Sequence, residues 1–137
     1  MQENLSSRLQ WNRIWEISIK IIFSIWYISV GHDSKICVTD TSGTLYSIED
    51  ETGNVRHITS PETRNSLSKL VMDTSGNVYS PDRESNCVYT LFSDLNLNKI
   101  IADSELYKIC AICFNKNCSK LFVANNRGKS IIVFNCT

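Results

Sequence analysis

Three of the six cysteines in this 137-residue chain lie close together near its C-terminal end. Cys110, Cys113 and Cys118 have a spacing at which thiolates can chelate zinc from a tight turn. The flanking residues predict a strand, however, and residues three apart on a strand point to opposite faces. Neither His32 nor His57 is near in sequence. We therefore expect structural cysteines or disulfides, with no metal site and no cofactor, and six cysteines leave 15 pairings open.

Carboxylate and amide side chains also recur along the chain. Asp40, Asp73 and Asn115 each follow an apolar run and precede a polar turn. Oxygen ligands of this kind could hold a metal ion in an enzyme of the lactonase sort. Asp and Asn at such positions are equally typical of turns, where they bond the local backbone. The residues favour a non-enzymatic protein without deciding the question, and no catalytic residue is predicted.

These polar residues belong to a repeated segment. Asp40-Thr41-Ser42-Gly43-Thr44-Leu45-Tyr46-Ser47 returns as Asp73-Thr74-Ser75-Gly76-Asn77-Val78-Tyr79-Ser80, a spacing of 33 residues. A looser third version runs from Ile112 to Asn115 and from Leu121 to Ala124. Repetition at a fixed period indicates a repeat architecture.

Each copy predicts a hairpin, followed by a third short strand at Val55–Thr59, Cys87–Phe92 or Ser130–Phe134. Residues Leu97–Ala102 could add a fourth strand to the second unit. Short strands separated by turn signals favour an all-β fold, a β-propeller fragment of about three blades. Because 33 residues is short for a blade of about 40 to 45, we expect the first unit to lack its outer strand. Three blades do not close a ring, which predicts missing blades or self-association.

Charge is balanced, with 14 basic and 14 acidic residues scattered along the chain. The basic stripe of a nucleic-acid-binding protein is absent from the sequence, so no nucleic-acid partner is expected. The sequence also has no P-loop and no GxGxxG, the motifs that cradle nucleotide phosphates.

We divide the chain into an N-terminal apolar segment, residues 1–35, and a partial propeller, residues 36–137. Two interpretations of residues 14–30 stay open. Ile21–Val30 could be the apolar region of a signal peptide, preceded by basic residues. Alternatively, Ile17, Ile19 and Ile21 alternate with polar residues as in a strand with one buried face. The segment is too short for a membrane span, which needs about 20 apolar residues.

Three Asn-x-Ser/Thr triplets make Asn4, Asn117 and Asn135 candidate N-glycosylation sites. Asn117 falls in the polar turn of the third unit. These triplets favour a secreted, extracellular protein.

Four segments, in order and with similar spacing, resemble the C-terminal blades of the major royal jelly and yellow proteins. They are Leu70–Tyr79, Cys87, Ile100–Leu106 and Leu121–Arg127. Phe122 stands where that family has Trp. The resemblance spans residues 68–127 and implies a secreted six-bladed propeller.

The resemblance further implies a non-enzymatic role in pigmentation, in nutritive secretion, or in capture of small amines within a central channel. Tyr46, Tyr79, Glu49 and Asp82 have the aromatic or acidic chemistry that amine binding uses. We assign none of them to a site, because Tyr46 and Tyr79 are expected at equivalent, buried strand positions. The alternative is an intracellular scaffold built of NHL-like repeats, which predicts reduced cysteines and no glycan.

Overall fold

The computed structural model describes residues 9–14, 16–19, 21, 23–31, 35–48, 53–59, 66–91 and 96–136. Over these residues the chain forms eleven strands in three antiparallel sheets. The first sheet contains β1 (Ile25–Val30), β2 (Ile36–Asp40), β3 (Leu45–Ile48) and β4 (Val55–His57). The second contains β5 (Val71–Met72), β6 (Val78–Asp82), β7 (Cys87–Leu91) and β8 (Leu97–Ile101). The third contains β9 (Ala111–Phe114), β10 (Lys120–Asn125) and β11 (Ser130–Asn135).

Strands that are neighbours in the chain are neighbours in each sheet. This meander order, in three consecutive sheets packed face to face, is that of propeller blades. A 3-10 turn at Asn126–Gly128 joins β10 to β11. The predicted all-β fold of about three blades is confirmed, and the extra strand expected within Leu97–Ala102 is β8.

A backbone hydrogen bond repeated in all three sheets defines the structural period. The N–H that follows the second strand donates to the carbonyl of the residue leading into the first strand. The three bonds run from Thr41 to Ser24 at 3.0 Å, from Arg83 to Ser66 at 3.3 Å, and from Asn126 to Tyr107 at 2.7 Å. Each donor directly follows a buried polar residue: Asp40, Asp82 or Asn125. These residues are 42 and 43 positions apart (82 − 40 and 125 − 82).

The hairpins at the opposite end of the sheets have the same period. Where the first strand turns into the second, the N–H of Gly31, Asp73 or Asn115 donates to the carbonyl of Lys35, Asn77 or Lys120. The three donors are 42 residues apart (73 − 31 and 115 − 73). A period of 42 fits a propeller blade of about 40 to 45 residues.

The spacing of 33 is therefore not the blade period. Asp40–Gly43 connects the second and third strands of its sheet, whereas Asp73–Gly76 connects the first and second strands of the next. The expected loss of an outer strand from the first unit is wrong, because Ile25–Val30 supplies the first strand and Val55–His57 the fourth. This strand places part of the N-terminal segment in the first sheet. The domain division at residue 35 stays a prediction.

The two Asp-Thr-Ser-Gly copies resemble each other because each builds the same self-contained hairpin. Asp73 Oδ1 accepts hydrogen bonds from the Ser75 and Asn77 N–H groups, both at 2.9 Å, and Tyr79 OH donates to its Oδ2 at 2.7 Å. The first copy repeats these contacts: Asp40 accepts from Ser42 at 2.9 Å, from Thr44 at 3.1 Å and from the Tyr46 hydroxyl at 2.8 Å. Gly43 and Gly76 have φ of 88° and 83°, the left-handed conformation that Gly adopts without a steric penalty.

These contacts shift the pKa of both partners. Burial alone raises the pKa of Asp73, but the hydrogen bonds from Tyr79, Asn77 and Ser75 outweigh it and lower the net value. Burial, followed by the bond to the Asp73 carboxylate, raises the pKa of Tyr79 to about 12. Asp40 and Tyr46 shift in the same directions for the same reasons, and the pKa of Tyr46 is also raised to about 12.

Apolar clusters fill the spaces between the sheets. Between the first and second sheets lie Cys37, Leu45, Leu67, Leu70, Val78 and Leu91. Between the second and third lie Val88, Leu106, Ile109, Ile112, Leu121 and Val123. A third cluster, Val38, Tyr46 and Ile48, lies on the outer face of the first sheet, where Ile17, Ile19 and Ile21 pack against it. No helix among the described residues is long and apolar enough to cross a bilayer.

Replacing the buried carboxylate of the second sheet tests the structural period. Asp82 is 2% exposed, and its Oδ1 accepts from the N–H groups of Ser66, Glu84 and Ser85 at 3.0–3.3 Å. Asp82→Ala leaves these donors without a partner, so we expect a loss of about 3 kcal/mol in the free energy of unfolding. Urea denaturation measures it. Asp103→Ala is the control, because the exposed Asp103 carboxylate accepts from Glu105 N–H in an exposed turn. An equal loss in both variants contradicts the structural role assigned to the buried Asp82 carboxylate.

The hairpin bond predicts a pH dependence. Because the pKa of Tyr79 is raised from its ordinary value of 10.0 to about 12, its contribution to stability is complete below pH 10 and lost as the pH rises towards 12. Tyr79→Phe removes the bond, and we expect about 1 kcal/mol less stability at neutral pH together with a smaller decline between pH 10 and 12.

Chemical denaturation at a series of pH values measures both effects. Tyr107→Phe is the control, since the Tyr107 side chain is 51% exposed. A Tyr79→Phe variant that declines as steeply as the parent chain at high pH shows that the bond to Asp73 does not form.

Candidate functional site

The side chains with amine-binding chemistry do not come together. Tyr46 lies on β3 and Tyr79 on β6, so the expectation that they occupy equivalent strand positions is wrong. Both hydroxyls donate to the carboxylate of their own hairpin. Asp82 is buried within its turn, and Glu49 lies outside the described residues. Asp40 and Asp73 are likewise saturated by turn bonds, which confirms that turn chemistry explains them.

The cysteines also lie in separate environments. Cys110 faces a cleft at one end of the third sheet, Cys113 lies on that sheet's outer face, and Cys118 lies in the hairpin at the other end. The described residues contain no group of His, Cys, Asp or Glu that could hold a metal ion. All six cysteines are unpaired, and Cys37 and Cys87 are buried. Burial raises the pKa of the Cys37 thiol to about 11, as expected of a structural cysteine.

Two of the three candidate glycosylation sites are described. Asn117 is exposed in the hairpin between β9 and β10, and its Oδ1 accepts from the Ser119 N–H at 3.2 Å. Asn135 is exposed at the end of β11, and Lys120 Nζ donates to its Oδ1 at 2.9 Å. Asn4 lies outside the described residues. Glycosylation of all three remains a prediction.

A cleft of about 560 Å³ opens between the second and third sheets. It lies at the end of the sheets where the repeated backbone bond forms. The second sheet contributes side chains from its leading segment and from the β6–β7 turn, and the third sheet contributes them from its leading segment and from the 3-10 turn. The lining residues are Ser66, Arg83, Glu84, Lys108, Ile109, Cys110 and Arg127.

Backbone hydrogen bonds position two of the three cationic residues of the cleft, and an aromatic ring contacts the third. Arg127 has φ 58° and Lys108 has φ 49°, left-handed conformations that cost a non-Gly residue about 1 kcal/mol each. Lys108 N–H donates to Asn86 Oδ1 at 2.8 Å, which ties the third sheet to the β6–β7 turn. Arg127 N–H donates to the Lys108 carbonyl at 3.1 Å. The Arg83 guanidinium carbon lies 5.3 Å from the centre of the Trp26 ring, a cation–π distance.

Three cations face one carboxylate in this cleft. Within the described residues, Arg83, Lys108 and Arg127 form no ion pair, and the Glu84 side chain is the single acid of the lining. Guanidinium groups bind carboxylates and phosphates through paired hydrogen bonds, and an ammonium group adds a point charge. The cleft is therefore suited chemically to an anionic group.

The sequence did not reveal this site, because its cations come from three turns between residues 83 and 127. One signal was present. The segment Leu121–Arg127, one of the four on which the family resemblance rests, ends in the 3-10 turn. Its Asn125 is hydrogen-bonded to the segment that leads into β9. Asn125 Oδ1 accepts from Tyr107 N–H at 2.7 Å, and its Nδ2 donates to the Glu105 carbonyl at 3.0 Å.

No family model matches the chain, and no curated protein matches it. Solved structures do. One is an inactive variant of virginiamycin B lyase from Staphylococcus aureus with quinupristin, which is 12% identical to this chain with a TM-score of 0.63. The match covers 83% of this chain and 42% of the lyase chain. A protein proposed to be a gluconolactonase is 14% identical with a TM-score of 0.64, covering 80% and 44%. A protein of unknown function from Bacteroides thetaiotaomicron is 17% identical with a TM-score of 0.65, covering 82% and 29%.

The chain spans less than half the length of each of these structures. At such low identity the likeness shows the fold alone, and that fold is the β-propeller. The chain is thus an all-β propeller fragment of three consecutive blades.

Proposed function

We propose that the chain is part of a secreted, non-enzymatic β-propeller of the royal jelly and yellow type, which binds a small ligand through an anionic group in the cleft between its second and third sheets. One observation carries the proposal: Arg83, Lys108 and Arg127 face a common volume of about 560 Å³ with one carboxylate among them. Two of these cations occupy left-handed backbone conformations, which cluster at functional sites.

The charge of the cleft decides between ligand classes. The resemblance implies a small amine, but an ammonium group placed among three cations would be repelled. The tyrosines with suitable chemistry have their hydroxyls bound to Asp40 and Asp73. For the described part of the propeller, a carboxylate or phosphate group is the favoured ligand chemistry, and an amine would require residues from elsewhere.

Secretion is supported by one feature: the candidate glycosylation site Asn117 is exposed in the hairpin between β9 and β10. The Leu121–Arg127 segment, which resembles the family, contributes Arg127 to the cleft. A second candidate function, an intracellular NHL-like interaction scaffold, is favoured by one observation: all six cysteines are unpaired.

Calorimetric titration of the full chain tests the ligand class. We expect succinate or inorganic phosphate to bind, with an affinity that falls as salt increases because exposed charges are screened. Arg127→Ala and Lys108→Ala should each weaken binding about tenfold, the effect of losing one charge-assisted hydrogen bond. Lys99→Ala is the matched control, since Lys99 is exposed on β8 and outside the cleft. Binding of tyramine in place of both anions would contradict the proposal.

Expression in insect cells tests secretion separately. We expect the protein in the medium with a glycan on Asn117, and we expect Asn117→Gln to lose that mass. Mass spectrometry of the medium and of the cell lysate measures both. An unglycosylated protein with six free thiols, retained in the cells, favours the intracellular scaffold instead.

A further inference from the structure

The outer face of the third sheet is apolar and exposes large side chains. Ile131 is 68% exposed and Val133 is 48% exposed, although both lie on a central stretch of β11. Beside them, a shallow groove of about 160 Å³ is lined by Ala111, Ile112, Cys113, Phe122, Ala124 and Ile131, with Lys69 from the segment leading into β5. Contiguous exposed apolar surface of this kind marks an interaction site.

The blade period shows what this face is shaped to contact. Cys113 is 42 residues after Val71, Phe122 is 43 after Tyr79, and Ile131 is 43 after Val88. Val71, Tyr79 and Val88 all pack in the cluster between the second and third sheets. The outer face of the third sheet therefore repeats the face that the second sheet presents to its successor. Its complement is the opposite face of another blade.

The same chain carries such a complementary face. On β10, Val123 packs towards the second sheet, and the residues 43 and 85 positions earlier are Ser80 and Val38. Val38, with Tyr46 and Ile48, forms the outer face of the first sheet. Ile17, Ile19 and Ile21, which lie outside the eleven strands, pack against this face. The cover that these three side chains provide is not a blade, and a blade could replace it.

We propose that the outer face of the third sheet binds the outer face of the first sheet of a second copy of this chain, in competition with the side chains of Ile17, Ile19 and Ile21. The contact is head-to-tail and reuses the blade-to-blade packing already present twice in each chain. Two such contacts, related by a two-fold axis, close a ring of six blades. Six lies within the four to eight blades of known propellers. This proposal is independent of the ligand cleft.

Sedimentation equilibrium of the full chain over a range of concentrations tests the proposal. The chain of 15.6 kDa should reach the mass of a dimer, 31.2 kDa (2 × 15.6), and no larger species. Ile131→Asp places a charge in the contact and should abolish the dimer. The double variant Ile17→Ser, Ile19→Ser weakens the cover on the first sheet and should lower the dissociation constant at least tenfold.

Ile100→Asp is the matched control, because Ile100 is 41% exposed on β8, away from both faces. Circular dichroism confirms that each variant stays folded. A monomer at every concentration, in the parent chain and in the double variant alike, overturns the proposal. So does a dimer that survives Ile131→Asp, or one unaffected by the Ile17 and Ile19 substitutions, since the latter indicates two third sheets packed against each other.

Discussion

The structure depends on one repeated interaction, in which a buried Asp or Asn at the end of each second strand is followed by an N–H that bonds the segment leading into the first strand. Asp40, Asp82 and Asn125 occupy this position. Burying a polar side chain is favourable only when its hydrogen bonds are made, so the leading segment and the turn must meet at this point. The same geometry places the ligand cleft: Arg83 directly follows Asp82, and Arg127 lies two residues after Asn125.

The sequence was sufficient to predict the hairpins and the fold class, because the alternation of apolar and polar residues and the turn residues act locally. It misplaced the blade boundaries for the same reason. Asp-Thr-Ser-Gly with Tyr six residues after the Asp forms a stable hairpin wherever two strands meet. Its two copies therefore do not show where one blade ends and the next begins. The residues that mark equivalent positions in the three blades, Asp40, Asp82 and Asn125, are not all of one type and have different neighbours in the sequence. The cleft could not be predicted, since Arg83, Lys108 and Arg127 come together only after two sheets have packed.

Each blade presents one face to its predecessor and another to its successor. Inside the chain these faces bury each other, and the pair Val88 and Ile131 shows how one position can be buried in the second sheet and 68% exposed in the third. The cleft lies between the second and third sheets, whereas the proposed self-association uses the outer faces of the first and third sheets. The ligand-binding and self-association proposals therefore rest on different residues, although they concern one architecture.

The central claim is that Ile25–Val30 is the first strand of a 42-residue blade, and a disulfide tests it most directly. Ser29 is paired directly with Cys37 across β1 and β2, and directly opposed residues of antiparallel strands lie within disulfide reach. The account predicts that Ser29→Cys forms a disulfide with Cys37, found by peptide mapping under oxidising conditions, whereas Ile28→Cys, which points to the other face, does not. Failure of Ser29→Cys to cross-link, or equal cross-linking by Ile28→Cys, would contradict it.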